Sequence, residues 1–390
     1  MFGWEFPPHN SGGLGTACLG MTKALSKKNV QITFVLPQKL QGVESFLKIV
    51  SPDTPYVSLY SVDSPLSPYL NGKTYESYSS KGNSVYGKDL FEEVYRYSFF
   101  GWYVAGKEDF DVIHAHEWLS FGAGIKAKER SGKPLIAHVH ATEFDRCGEN
   151  INKRVYNLEK EGMEKADRVV AVSNLTKNII VERYGIPEEK VEVVHNGVDF
   201  EGEGEISQIN RMKEMGKKMV LYVGRITFQK GPDYFITAAK KVCERYDNVF
   251  FVVAGSGDME NQIIEQTARE GISDRVFFTG FLRGQELRDL YRCADLYVMP
   301  SVSEPFGITP LESLINGTPV LISNQSGSSE VLTHALKVDF WDTEEMASKM
   351  ICALRYPSLS KCLRENGQKE VFSITWEKAA DKLINIYNQI

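Results

Sequence analysis

The sequence predicts an α/β protein made of two doubly wound domains, on three observations. Short β-branched runs alternate with helical stretches from end to end, the pattern of parallel sheets wound by helices. That alternation lapses once near the middle, where residues 199–217 turn polar, acidic and glycine-containing, as a linker does. And 390 residues are too many for one ordinary core, so two units of roughly 200 residues each are the default.

Element by element, the first half carries strand signals at 30–36, 111–115, 134–140, 168–172 and 191–195. Helical patterns lie between them at 14–28, 88–107, 117–130, 153–166 and 174–184. The second half repeats the scheme, with strands at 218–223, 248–254, 275–279, 295–299 and 318–322 and helices at 232–246, 258–270, 284–293, 310–316 and 343–354. That sheet pattern is complete by about residue 355, which leaves helices at 358–370 and 375–389 as surplus. In the last one Ala379, Leu383, Ile386 and Tyr387 form an apolar stripe that needs a partner surface. We therefore expect domains at 1–200 and 201–374, a hinge near 199–217, and a helix at about 375–390 crossing back to the first domain. The segment 37–87, rich in Ser, Pro, Tyr and Gly, reads as an elaborate surface insertion. Only Met1–Trp4 stand where a doubly wound domain opens with a full strand; either that strand is very short or the natural chain begins upstream.

Composition excludes several classes. With 42% apolar and 25% charged residues the chain is a globular enzyme type, and it has no apolar run long enough to span a bilayer. Its net charge, 45 − 51 = −6, argues against nucleic acid as the partner. The six cysteines are scattered with no Cys-x-x-Cys pair, so they read as reduced small hydrophobes. MFGWEF lacks the basic-then-apolar pattern of a secretory leader, and a cytoplasmic location is expected.

The sharpest motif is Gly224-Arg225-Ile226-Thr227-Phe228-Gln229-Lys230-Gly231, set between a strand and a helix. Loops at the carboxyl ends of parallel strands are where ligands bind in such sheets. Arg225 and Lys230 supply two cations there, both expected at the surface of the site, and the helix that follows offers N–H groups and the positive end of its dipole. This suits a diphosphate leaving group, whose charge grows as its bond to a sugar breaks.

A second corner, Ser303 to Glu312, also follows a strand. Glu304 precedes proline and is pushed into an extended conformation, free to accept hydrogen bonds from sugar hydroxyls. Thr309-Pro310-Leu311-Glu312 reads as a capping box, so Glu312 either caps its own helix or meets a ligand, or does both. A third loop, Asn10-Ser11-Gly12-Gly13-Leu14-Gly15, lets backbone amides approach an anion, yet has Cys18 where the dinucleotide fingerprint requires glycine. Gly255-Ser256-Gly257 fails the same fingerprint at Glu260.

Four of the seven histidines, His114, His116, His138 and His140, cluster at strand ends. Alternate strand positions share a face, which raises a metal site, but no further ligands suggest themselves and none is expected. His140 is the strongest active-site candidate of the four; the other three are expected to pack or hydrogen-bond beside it.

Taken together these residues resemble the retaining group 1 glycosyltransferases (family GT4 type), which have the GT-B fold of two Rossmann-like domains facing across a cleft. The GGLG loop, the His140 segment, His195-Asn196-Gly197-Val198-Asp199, the G-R-x-x-x-Q-K-G loop and the Glu304/Glu312 pair occur in the family's order. The resemblance implies that Gly13 approaches the donor phosphates and that His140 lies beside the transferred sugar. It implies that Arg225 and Lys230 grip the diphosphate, that Glu304 holds the sugar hydroxyls and that Glu312 meets the ribose. Asn196, Gly224, Phe306, Gly307, Ile308 and Thr309 complete the implied donor site.

The implied activity is transfer of a hexose, glucose foremost, from a UDP- or ADP-linked donor to a saccharide, lipid-linked or other hydroxyl acceptor. Retention of configuration comes from the resemblance alone. No cofactor is implied beyond the nucleotide-diphosphate sugar itself, and no metal. Glycogen and starch synthases share the fold but carry a lysine in a K-x-G-G-L loop, where this chain has Asn10. An α-glucan synthase is therefore an alternative, as are a nucleotide-sugar epimerase and a catalytically silent binding subunit.

Overall fold

The computed structural model describes residues 1–6, 13–37, 48–50, 57–62, 89–199 and 216–390, with 48–50 and 57–62 described by backbone alone. The chain divides into two compact units, Met1–Gly197 with Trp376–Ile390, and Val198–Thr375. Nearly all of the expected hinge, and all of Asn10, Ser11 and Gly12, lie outside the described residues.

The first unit holds β1 (Ile32–Pro37), β2 (Lys48–Val50) and β3 (Val57–Val62) in the order β1-β3-β2, and β4 (Ile113–His116), β5 (Leu135–Val139), β6 (Arg168–Ala171) and β7 (Val191–Val193) in chain order. What joins the two runs is a single residue. Phe2 makes parallel bridges to both Val35 and Ala115, donating to His114 O and accepting from His116 N at 2.8 Å each. At the chain's start Phe2 alone makes these two bridges, and the buried Tyr97 hydroxyl braces them by donating to Gly3 O and Val35 O at 3.0 Å each. β3 corrects the sequence reading of 37–87 as pure insertion: it pairs parallel with β1, Ile32 against Val57. Its V-S-L-Y-S-V alternation is a strand pattern that the flanking Ser and Pro masked.

Helices α1 (Gly13–Lys27), α2 (Leu90–Ala105), α3 (Trp118–Ser131), α4 (Glu143–Cys147), α5 (Lys153–Lys165) and α6 (Asn174–Tyr184) belong to this unit. Their ends follow local chemistry: Ser173 caps α6 by accepting from Thr176 N, and Gly185 ends it in the left-handed region.

The second unit is a six-stranded parallel sheet ordered β10-β9-β8-β11-β12-β13. Its strands are β8 (Lys218–Val223), β9 (Val249–Ala254), β10 (Val276–Gly280), β11 (Leu296–Met299), β12 (Val320–Ser323) and β13 (Leu336–Val338). β9 is buried at every position, as a central strand covered on both faces must be. The wrapping helices are α7 (Pro232–Cys243), α8 (Glu260–Arg269), α9 (Gly284–Cys293), α10 (Thr309–Ile315), α11 (Thr343–Arg355) and α12 (Pro357–Val371). β13, three residues long, is absent from the sequence reading because so short a run carries no period.

The last helix, α13 (Trp376–Tyr387), belongs to the first unit. It buries Trp376, Ala379, Ala380, Leu383 and Ile386. Gly20 of α1 leaves the room that the Trp376 indole occupies; any β-carbon there would strike the ring. Lys27–Glu377 at 3.0 Å and Lys28–Asp381 at 2.6 Å flank the seam, exposed pairs that orient the helices more than they stabilise them.

Candidate active site

In the second unit the sheet order makes β8 and β11 neighbours, so the loops at their carboxyl ends meet. Gln229 joins them: its carbonyl accepts from Val302 N at 2.9 Å, and its side-chain oxygen accepts from Arg225 Nη2 at 3.3 Å. Gly231 sits at φ +60 against the carbonyl of Pro300, where a β-carbon would collide. The loops are packed backbone on backbone, and only glycine fits the contact.

This junction unites Lys230 and Glu304. The ammonium of Lys230 ion-pairs with the Glu304 carboxylate, which also accepts from the Ser301 hydroxyl at 3.2 Å. Glu304 is extended, bridged to Ser326, with its own N–H donating to Gln325 O at 2.9 Å and its carbonyl accepting from Gly327 N. Lys230, expected at the surface of the site, is largely buried there: its side chain is 19% exposed and that of Glu304 9%. A carboxylate held this far from water requires a cation. Arg225 is half-buried on the same loop, its carbonyl accepting from the Tyr222 hydroxyl at 2.9 Å.

At α7, Asp233 stands in the first turn with its Oδ1 buried and without a hydrogen-bond partner among the described residues. One expectation about a helix end is corrected, at α10, where no capping box forms. Ile308 is the N-cap with no side-chain hydrogen bond, the Thr309 hydroxyl bonds Tyr297 at 2.7 Å, and Glu312 accepts from the Tyr291 hydroxyl at 3.2 Å. Proline in the first turn starts this helix, and its leading amides are left without a side-chain cap. Gly307, at φ +89, packs against Met299 and the Glu304 side chain. Phe306 is buried, its carbonyl accepting from Ser328 N at 2.6 Å. Gly224 donates to Ala254 O at 3.0 Å, and the Gly255 position abuts the Gly224 carbonyl. The hydroxyl of Thr227 is buried with no hydrogen-bond partner.

In the first unit the four histidines form a ladder across β4 and β5. His114 stacks on His116 at 4.5 Å between centroids, and His138 on His140 at 4.2 Å. His114 Nε2 bonds His138 Nδ1 at 3.0 Å, and His116 Nδ1 bonds His140 Nε2 at 3.1 Å. Tyr387 of α13 closes the chain with its hydroxyl 2.7 Å from His114 Nδ1. Burial pushes all four down, His140 to about 3, so they are neutral imidazoles near pH 7. A nitrogen from each of His114, His116 and His138 lies within 4.8 Å of the others, spacing that a metal ion would accept; both nitrogens of His114 are engaged in hydrogen bonds.

His140 is half-buried at the end of β5. Its N–H and that of Ala141 donate to Glu117 Oε1 at 2.6 and 2.8 Å. Glu117 lies on Arg146, which also pairs with Glu143 and Glu159, three buried carboxylates around one guanidinium. Burial raises the Glu159 carboxyl to about 7 against the pull of Arg146. Gly13 opens α1, where a β-carbon would meet nothing within 4 Å among the described residues, and Gly15 N donates to the buried Glu5 carboxylate at 3.1 Å. Asn196 is buried just after β7.

Sequence reasoning missed Gln229, Ser301 and Glu117. Gln229 was within reach, since it stands inside the cationic loop; Ser301 and Glu117 act through partners that only the fold brings near.

Two family models match the chain, "Glycosyltransferase Family 4" over residues 11–201 and "Glycosyl transferases group 1" over residues 205–370. An uncharacterized glycosyltransferase of Methanocaldococcus jannaschii is 29% identical, over 99% of this chain and 97% of its own length. A D-inositol 3-phosphate glycosyltransferase of Thermobispora bispora is 31% identical, over 72% of this chain and 71% of its own. Among solved structures, sucrose-phosphate synthase from Thermosynechococcus elongatus superimposes with a TM-score of 0.80 at 19% identity, over all of this chain and 97% of that one; the fold is GT-B.

Proposed function

The chain belongs to the group 1 glycosyltransferases, and on that premise we propose that it moves a hexose, glucose foremost, from a UDP- or ADP-linked donor to a saccharide or other hydroxyl acceptor. The observation that carries the reading is the Lys230–Glu304 pair at the junction of the β8 and β11 loops, with Arg225 half-buried on the same turn. Two cations and a carboxylate in one corner match the two parts of a nucleotide sugar. The cations meet the diphosphate, whose charge rises in the transition state, and the carboxylate meets sugar hydroxyls.

In this reading the first-turn amides of α10, with Gly307 and Ile308 ahead of them, add dipole to the phosphates, and Glu312 takes the ribose. His140, a neutral imidazole, hydrogen-bonds the transferred sugar without placing a cation beside a forming oxocarbenium centre. The leaving-group charge is then met by protein groups, which makes the reaction independent of a divalent metal, and transfer retains configuration. The acceptor is the least determined part. One relative is named for inositol phosphate and another, 29% identical over 57% of this chain, for glycogen synthesis, so phosphorylated polyols and glucans head the panel.

A thermal-shift panel of UDP-, ADP- and GDP-hexoses tests the donor, since a ligand that binds only the folded state raises its stability. Turnover of the leading donor with each acceptor, and the anomer formed, tests the rest. Arg225→Ala should lower the rate about 10²–10³-fold. A donor that binds but is never transferred, or an Arg225→Ala enzyme as fast as wild type, would remove the reading.

A further inference from the structure

Glu117 is the single residue between β4 and α3, and its backbone is out of the ordinary. At φ 68 and ψ 162 it occupies a region that is essentially reserved for glycine. Glycine would sit there without strain, so the side chain that stands in its place calls for an explanation.

Its contacts supply one. The β4–β5 ladder ends at the pair His116–His138. Beyond that pair, the Glu117 N–H donates to His138 O at 3.0 Å, while its carboxylate takes the N–H groups of His140 at 2.6 Å and Ala141 at 2.8 Å. The carboxylate therefore continues the ladder for two residues past the end of the strand, as a further strand would. It is 3% exposed, and its second oxygen is held by Arg146 at 3.3 Å.

We infer that Glu117 is a positioning residue: it sets where the backbone of His140 ends, and so where that imidazole stands. The inference rests on the proposed role of His140 beside the transferred sugar. The left-handed turn is what aims the carboxylate back across the strand end, and the side chain is retained there for that reason. Gln at this position keeps an acceptor for the two amides but loses the charge on Arg146, whereas Gly keeps the turn and loses the anchor entirely.

Three variants of the full chain test it. Glu117→Gly relieves the backbone and should stay folded, yet lower kcat about 10²-fold, the scale of loss for a catalytic group misplaced by an ångström. Glu117→Gln should lie between it and wild type. UDP affinity and donor KM should not move in either, because Glu117 belongs to the first unit and the diphosphate groups to the second. The His140 side-chain resonance, assigned by its loss in His140→Gln, should shift in both Glu117 variants. Wild-type kcat in a folded Glu117→Gly, an unmoved His140 resonance, or kcat, UDP affinity and melting temperature falling together would each overturn the inference. If His140→Gln is itself fully active, the role given to His140 fails instead, while the resonance still reports whether Glu117 positions it.

Discussion

Deleting Lys230 should separate stability from catalysis, because in the function proposed above the same ammonium serves both. Its partner Glu304 has a side chain 9% exposed, so Lys230→Ala leaves a carboxylate buried without its cation. Breaking such a pair from one side costs about 3–5 kcal/mol. Ser301 still donates to Glu304 at 3.2 Å and softens the loss, which places the expected cost near the lower figure, about 3 kcal/mol. In a unit of this size each kcal/mol moves the melting temperature by about 2–4 °C, so a fall of roughly 6–12 °C is expected. The double variant Lys230→Ala/Glu304→Gln removes the stranded charge as well and should recover most of that loss, since trading away both partners of a buried pair is often close to neutral. Its activity should not recover. The rate should stay down about 10²–10³-fold, as for the loss of a preorganised group that stabilises developing charge. Calorimetry on the three proteins, with donor turnover on each, is the assay. A single variant that melts within about 2 °C of wild type would show that the pair contributes nothing to the fold. A double variant that regains turnover would show that Lys230 does not serve the reaction.

Gly231→Ala should destabilise by about 1–3 kcal/mol from its left-handed backbone alone, and more from the collision with Pro300, with turnover lost in proportion; a wild-type urea midpoint would contradict the loop packing described. Turnover should persist in excess EDTA, and loss of activity that magnesium or manganese restores would show that Arg225, Lys230 and the α10 amides do not suffice for the diphosphate. Glu159 rises from 4.5 to about 7 in the folded protein, so across that window the folded state holds a proton that the unfolded state releases. Its contribution to stability therefore falls as pH rises from about 5 to 8, and wild type should lose ground to Glu159→Gln over that range in paired thermal melts; a pH-independent difference would refute it.

The second unit was legible where burial and period agree. Runs such as V-F-F-V-V-A announce a covered strand, and the loop that follows β8 places Arg225 and Lys230 at a carboxyl end by position alone. What was not legible is pairing across the sheet. Lys230 and Glu304 are 74 residues apart, and only the adjacency of β8 and β11 makes them partners. Local competition misled in the same way at a helix start. Thr309-x-x-Glu312 has the spacing of a capping box, yet Tyr297 and Tyr291, from other elements, claim both side chains. Glu117 gives no sequence sign at all, since nothing in H-A-H-E-W marks the φ of its fourth residue.

That α13 packs on α1 has a consequence for the order in which the protein can assemble. In chain terms the whole of Val198–Thr375 is an insertion within the first unit, which is finished only when residues 376–387 are in place. During synthesis the second unit has all its strands and helices before the first has its last helix. Until then the gap beside Gly20 lacks its indole and His114 lacks the Tyr387 hydroxyl. The first-made part of the polypeptide is thus the last to be completed, and a ribosome that stalls after residue 375 releases an intact second unit joined to an open first one. Such a product would expose an apolar groove along α1, a surface that chaperones and proteases recognise.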